Sequence, residues 1–377
     1  MDELDLQFSV TYRHRIFFTA HAFAVSNALL STQIGKAKVL VVCDAGLIQA
    51  RPDLLVSLLN YARHYKLQLT REPMVLTGGE AAKRDTTVTK AVLAAIEADR
   101  ICRHSYVLAI GGGALLDAVG FAAATAHRGV RLIRMPSTTL GQADAGVGVK
   151  NGINTFGKKN FTGAFAVPAA VINDSDLLTS LDLKGRRDGL VEAVKVALLK
   201  DRDFFAALEA DASDLVAGNL TTLVRAIRRS AELHARHITS MGDPFEQGSA
   251  RPLDLGHWAA HRLESMTQHR LTHGEAVAVG LALDVVCARN LGLFAASEAR
   301  RVLSLLRALG FKIYVPELHQ EGGRALLIGL EEFREHLGGQ LTLVLPQSIG
   351  QATEVHALAE AQVRAAADEL QKLEASS

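Results

Sequence analysis

Apolar positions along the first half of the chain alternate between two textures. Short runs rich in β-branched residues, "KVLVVCDAG" (Lys38 to Gly46) and "SYVLAIGGG" (Ser105 to Gly113), read as buried strands ending in turns. Around them lie "DLLVSLLNYARHY", Val88 to Ala98 and "ALLDAVGFAAATAHRG", whose apolar residues recur three and four apart. Side chains at that spacing share one face of a helix. The alternation therefore predicts a parallel sheet covered by helices.

From about Asp182 the texture changes. "GLVEAVKVALLKDRDFFAALEA", "LTTLVRAIRRSAELHARHI", the run Leu253 to Gly280 and "ALAEAQVRAAADELQKLEA" are amphipathic and helix-like, with "QLTLVLP" as the main strand candidate. The expected organisation is an α/β domain over residues 1–178 and a mainly helical domain over 179–377. The stretch Ser137 to Phe165 is rich in Gly, Asn, Thr and Lys, and is expected to be a functional loop.

Apolar residues make up 49% and charged ones 21% of the 377 residues, the composition of a soluble globular protein. A formal net charge of +1 gives no general electrostatic case for a nucleic-acid or anionic-membrane partner. Cys43, Cys102 and Cys287 are odd in number and far apart, and are expected to be reduced core residues. The start "MDELDLQFSV" is acidic where a signal peptide is basic. No uninterrupted apolar run reaches the roughly 20 residues needed to span a bilayer. A cytoplasmic location is the expectation.

Several groups could carry chemistry. Gly111, Gly112 and Gly113 stand where a strand meets a helix, and either bare their backbone N–H groups to a pyrophosphate or simply make a tight turn. Asp44, at the end of an earlier strand, could bind a ribose hydroxyl or cap the next helix. Arg128, Lys150, Lys158, Lys159 and Asn160, with Asp144 among them, make either a phosphate cradle or a solvated basic loop. Glu192 and Lys195 share one face of an apolar helix, as a surface pair or with the carboxylate as a metal ligand. Four histidines, His257, His261, His269 and His273, fall within Leu253 to Gly280. Spacing alone nominates His257 and His261, four apart on one helix face, as a ligand pair completed by one carboxylate.

Taken together, "GGEAAK", "GGGALLDAVGFAAATAHRG", "MPSTTLGQADAGVGVKNGIN", "GKKNFTGAF", "GLVEAVKVALLKD", "GHWAAH" and "HGEAVAVG" resemble the sugar phosphate cyclases, the family of 3-dehydroquinate synthase and the 2-epi-5-epi-valiolone synthases. The resemblance runs from about Asp44 to Gly350. It implies a dehydroquinate synthase-like fold: a Rossmann-like NAD-binding domain, an all-α metal-binding domain carrying Zn²⁺ or Co²⁺, and a homodimer.

Carried over by motif, the metal ligands become Glu192, His257 and His273, while His261 moves to the catalytic, phosphate end and His269 is a bystander. Asp44, Glu80, Lys83, Gly112, Gly113, Asp117, Ser137 and Thr138 match positions that contact NAD. Asp144, Lys150, Lys159, Asn160, Lys195 and Glu246 match positions around the substrate, and Arg128 an arginine that reaches the phosphate from the neighbouring subunit. The implied chemistry oxidises a ring hydroxyl, eliminates phosphate beside the resulting ketone, reduces the ketone again and closes a carbocycle by an aldol step.

The chain departs from the pattern of dehydroquinate synthase, which here shows Arg-x-x-x-Asn-x-Gly-His. Ala250 stands in place of the Arg, Arg251 is one position off and precedes Pro252, and Asp254 replaces the Asn. An upstream lysine that serves the substrate carboxylate is not evident, Arg236 being the nearest basic residue. Near the C-terminus, where a Lys pair is usual, this chain has "EEFREHLGGQLTLVLP", with His336 nearby. Losing cations and gaining a carboxylate disfavours an anionic end group. The combination of Asp254 and His336 resembles the 2-epi-5-epi-valiolone synthase branch, which implies sedoheptulose 7-phosphate as substrate and a C7 cyclitol such as 2-epi-5-epi-valiolone as product. The competing readings are 3-dehydroquinate synthase, with Arg251 serving the carboxylate, and a metal-dependent alcohol or polyol dehydrogenase.

Overall fold

The computed structural model describes residues 3–240, 245, 253–336 and 339–375. The N-terminal part makes, in chain order, β1 (Ile16–Thr19), β2 (Lys38–Asp44), β3 (Gln68–Leu69), β4 (Met74–Leu76), β5 (Tyr106–Gly111), β6 (Arg131–Pro136), β7 (Lys150–Thr155), β8 (Lys158–Phe165) and β9 (Ala170–Asp174). All but β7 and β8 join one parallel sheet in the order β1-β9-β6-β5-β2-β3, with β4 also paired to β2. Its helices are α1 (Leu29–Ile34), α2 (Ala45–Ala50), α3 (Asp53–His64), α4 (Ala81–Arg84), α5 (Thr87–Ala98) and α6 (Gly113–Thr125).

The apolar runs of β2 and β5 follow from burial on both faces. Val39, Val41 and Cys43 pack with Leu54, Leu58 and Tyr61 of α3, whereas Leu40 and Val42 pack with Val92 and Ile96 of α5 and with Leu115 and Leu116 of α6. Successive residues point to opposite sides, as the twofold period of a strand requires. The chain runs outward from β2 in one direction and returns to continue through β5 in the other. The crevice at the carboxyl ends of β2 and β5, at Asp44 and Gly111, is thus the switch point where such sheets bind ligands.

Ser137 to Phe165, expected to be a functional loop, holds regular structure. After a π-helical turn at Gly141–Ala145 it folds into an antiparallel hairpin of β7 and β8, with Thr155 opposite Lys158. Phe156 and Gly157 at its tip both have positive φ, 54° and 71°, the backbone that a tight two-residue hairpin turn demands. Few large apolar residues mark these strands, so their alternation is faint in the sequence.

Arg134, fully buried on β6, secures the segment before the hairpin. Its guanidinium donates to the carbonyls of Gly148 and Lys150, each at 2.8 Å, and to Asn151 Oδ1 at 2.6 Å.

The second part contains α7 (Leu183–Asp188), α8 (Leu190–Lys200), α9 (Arg202–Val216), α10 (Leu220–Ser240), α11 (His257–Met266), α12 (His273–Asn290), α13 (Ala296–Ala308), α14 (Arg324–His336) and α15 (Glu360–Ala375). The strand expected in "QLTLVLP" forms as β10 (Leu343–Ser348), paired with β11 (Gln351–Val355). Helix α8 is buried from Leu190 to Leu199, and α12 from Ala276 to Ala288, so both run through the interior of this part. Among the described residues no helix is long and apolar enough to cross a membrane.

The run Leu253 to Gly280 is two helices and not one. Gln268 and His269 take positive φ between them, and Thr272 opens α12 with a reciprocal capping box to Glu275. That Thr-x-x-Glu signature was visible in the sequence. The new helix lets α12 turn back on α11, bringing Gly280 against Gly256: a Cβ on Gly280 would lie 2.1 Å from the Gly256 carbonyl oxygen. Only glycine permits that approach directly before His257. Cys43 and Cys287 are buried as expected, but Cys102 is exposed in the turn before β5.

Candidate active site

Helices α8, α11 and α12 bring Glu192, His257 and His273 together. One ligand atom from each lies within 4.8 Å of the others. Glu192 sits in the first turn of a helix buried throughout, and its Oε1 accepts no hydrogen bond. It lies 3.6 Å from His257 Nε2 and 3.4 Å from His273 Nε2. Each ring is committed through its other nitrogen: His257 Nδ1 meets the Leu255 carbonyl at 3.0 Å, and His273 Nδ1 meets Glu264 Oε1 at 3.3 Å. Both Nε2 atoms are therefore left for a ligand. An orphaned buried carboxylate oxygen beside two such imidazoles fits a divalent cation of the Zn²⁺ type, with outer partners fixing the rings.

The pair that spacing alone nominated is not this cluster. His261 lies on the same face as His257, with ring centroids 5.5 Å apart, but stays outside the ligand set. Burial, then the neighbouring Lys159 charge, holds its pKa well below the usual imidazole value, so it is neutral. His273 is the opposite case. Burial works against its charge, but Glu264 and Glu192 outweigh it and lift its pKa to about 9 in the metal-free chain.

Beside the cluster, Lys195 is buried one turn along α8 and abuts Glu192 Oε2. Burial opposes its charge, yet Glu192, Asp144 and Asp254 raise its pKa, and it stays protonated. Asp144, on the π-helical turn, abuts His234 Nδ1 of α10. Burial would raise its pKa, but the charges of Lys195 and His234 prevail and keep it a carboxylate far below the usual range. Asp254 carries the carbonyl that takes the His257 N–H at 3.0 Å, and its charge acts on both Lys195 and His257.

Lys159 reaches from β8 to Glu264 on α11, its Nζ 2.8 Å and 2.9 Å from the two carboxylate oxygens. Lys150 opens β7 with an exposed side chain. Asn160 is exposed at φ 55°, its N–H bonded to Asn154 Oδ1 at 2.9 Å. Lys158 is exposed and pairs with Glu335. Arg128, exposed just beyond α6, is at the opposite end of that helix from the glycine turn, and so does not join these groups within the chain. Glu246 and Arg251 lie outside the described residues, as does the side chain of His336.

At the switch point, Asp44 settles one alternative in the local sense: its Oδ1 caps α2, accepting from the N–H of Gly46 at 2.8 Å. Its other oxygen faces Gly78, where a Cβ would come within 1.9 Å, and a Cβ on Gly111 would lie 2.8 Å from Asp44 Cβ. Gly112 starts α6 without a side-chain cap, so that helix's first N–H groups are open to a phosphate. Thr138 Oγ1 accepts from Gly141 N at 3.0 Å, and Ser137 is buried next to it. Lys83 and Asp117 form a 2.7 Å ion pair on the α4–α6 side, and Glu80 accepts from Asn154 Nδ2 at 2.6 Å. This cradle suits a dinucleotide pyrophosphate at the helix start.

Sequence reasoning missed four residues. His234 was overlooked in favour of Arg236, which is exposed; His234 and His237, three apart on α10, turn inward together. Burial and the charges of Lys200, His234, Lys150 and Lys195 pull the His237 pKa down to about 4. Glu264 was not singled out, although it follows His261 by three positions, on the same face. Asp284, on α12, accepts from Gly256 N at 2.7 Å and Trp258 Nε1 at 2.9 Å, fixing the residues on either side of His257.

Residues 73–187 match the family model described as 3-dehydroquinate synthase N-terminal, and residues 189–328 the one described as 3-dehydroquinate synthase C-terminal. The chain is 38% identical to a 3-dehydroquinate synthase of Cereibacter sphaeroides over 283 residues, 74% of this chain and 75% of the relative. It is equally 38% identical to a 2-epi-5-epi-valiolone synthase of Streptomyces glaucescens over 291 residues, 75% of this chain and 72% of that one. Among solved structures, a 2-epi-5-epi-valiolone synthase from Streptomyces hygroscopicus subsp. jinggangensis 5008 with NAD⁺ and Zn²⁺ bound superposes with a TM-score of 0.89 at 28% identity, covering 98% of this chain and 99% of that one. With its parallel α/β part, its helical part and the Glu192, His257 and His273 cluster, the chain belongs to the 3-dehydroquinate synthase-like family of sugar phosphate cyclases.

Proposed function

We propose that this cyclase uses NAD⁺ and a divalent metal, Zn²⁺ or Co²⁺, to convert sedoheptulose 7-phosphate to a C7 cyclitol such as 2-epi-5-epi-valiolone. Glu192, His257 and His273 would hold the metal, and the crevice lined by Asp44, the glycine turn, Ser137 and Thr138 would hold NAD⁺. When bound, these groups supply Lewis acidity at a ring hydroxyl and a reversible hydride acceptor.

The chain's own side chains would do the rest. Asp144, held as a carboxylate, accepts a hydrogen bond from the substrate side of the site, and His234 orients it. Lys195 supplies a fixed positive charge beside the metal ligands. Lys159, Lys150, Asn160 and the neutral His261 form the phosphate end, with Arg128 contributed from a second subunit of a homodimer. Asp254 stands at the end away from phosphate.

The substrate choice is carried by α10. Toward its C-terminal end His234 and His237 are half-buried, its arginine at 236 is exposed, and Asp254 adds a negative charge nearby. A substrate carboxylate would meet no bidentate cation at these two positions, whereas hydroxyls can bond to the imidazoles. A second reading, 3-dehydroquinate synthase with Arg251 binding the carboxylate, is favoured by the 38% identity to enzymes of that name. Purified protein is to be given each sugar phosphate separately, with phosphate release and cyclic product measured. The expected result is turnover of sedoheptulose 7-phosphate; turnover of the C7 keto-acid phosphate alone would overturn the proposal.

A further inference from the structure

Glu264 ties two parts of the site that have separate jobs. Its carboxylate is almost completely buried on α11, yet two groups reach it: His273 Nδ1 from α12 at 3.3 Å and Lys159 Nζ from β8 at 2.8 Å and 2.9 Å. The first belongs to the candidate metal cluster, and the second is the lysine assigned to the phosphate end. A carboxylate shared between a cation and an imidazole N–H divides its negative charge between them. Whatever draws the ammonium away leaves more of that charge on the ring, making the opposite nitrogen a stronger donor.

We infer that Glu264 is a positioning residue that couples phosphate at Lys159 to metal at His273. A phosphate group arriving at the β8 end takes a share of the Lys159 ammonium. Glu264 is then left more fully to the His273 N–H, and His273 Nε2 binds the cation more tightly. Such coupling is reciprocal, so a loaded metal also strengthens the hold on phosphate. A released phosphate would loosen the grip again, which suits a site that must let its product go. The inference rests on Glu192, His257 and His273 being the metal ligands and on Lys159 facing phosphate. It does not depend on which sugar phosphate is turned over.

The test needs no substrate. Zn²⁺ affinity of the purified enzyme is measured by competition with a chromogenic chelator, with and without saturating inorganic phosphate, for wild type, Glu264→Gln and Lys159→Met. In wild type phosphate is expected to tighten Zn²⁺ by about fivefold or more. Glu264→Gln is expected to weaken Zn²⁺ by about 10–100-fold and to abolish the phosphate effect. Lys159→Met, which removes the ammonium and leaves the Glu264 to His273 contact in place, is expected to bind Zn²⁺ without phosphate about as tightly as phosphate-saturated wild type, and to show no further phosphate effect. It carries the test if Glu264→Gln does not fold. Wild-type Zn²⁺ affinity in Glu264→Gln, no phosphate effect in wild type, or an undiminished effect in Lys159→Met would each overturn the inference. An undiminished effect would mean that phosphate acts on the metal directly.

Discussion

His234 presents Nδ1 to the carboxylate of Asp144, joining a residue of the long helix α10 to the π-helical turn before the β7–β8 hairpin. The contact lets one side chain align the carboxylate while Lys195 keeps it charged. Replacing the imidazole by an apolar group of similar length, His234→Leu, is expected to lower kcat by about 100-fold and leave bound metal unchanged. Steady-state kinetics together with metal analysis checks this. His234→Lys should shift preference toward a carboxylate-bearing sugar phosphate by about tenfold, or ~1.4 kcal/mol.

The metal cluster and the residue one turn away are expected to respond differently. His257→Ala and His273→Ala each remove a nitrogen from the cluster, and should lose both metal and turnover. His261→Ala should retain the metal at wild-type stoichiometry and lose about 100-fold or more in kcat. Metal content by elemental analysis, set beside turnover, distinguishes the two classes. A metal-free His261→Ala would place that ring among the ligands.

Arg134 is expected to matter for stability more than for chemistry. Its buried guanidinium is what satisfies the carbonyls of Gly148 and Lys150, so Arg134→Ala leaves several buried acceptors without a donor. The expected loss is about 3 kcal/mol or more, read as a lower urea midpoint. Because the same segment carries Asp144 and Lys150, kcat should fall alongside it.

Asp284 gives a pH dependence with a definite sign. Burial pushes its carboxyl up to about 7, although the N–H groups of Trp258 and Gly256 pull the other way. The folded chain therefore keeps a proton that an unfolded Asp releases above about pH 4. Its contribution to stability is full below that value and declines as pH rises through 7. Asp284→Asn, which cannot ionise, is expected to flatten this part of the profile relative to wild type. Urea midpoints at pH 5 and pH 7.5 for the two proteins measure the difference.

The parallel α/β architecture was legible because its strands are buried on both faces and its helices on one, so the pattern of apolar residues had to follow. The sequence also held the residues of the metal cluster, but their grouping came from the family motifs, since local spacing favoured His257 with His261. Spacing reports which side chains share a helix face; it says nothing of which helix crosses that face. The break at Gln268 to Thr272 and the Gly256 to Gly280 approach bring His273 back against His257, and the buried α8 delivers Glu192 to both.

What the sequence by itself determined was most of the elements, the β7–β8 hairpin excepted, and the chemical inventory, because periodicity, capping residues and glycine turns are local properties. Tertiary structure alone decided that His234 meets Asp144, that Glu264 is shared by Lys159 and His273, and that Arg236 points away. These pairings join distant positions through packing and burial, and no short-range pattern encodes which buried charge will find which partner.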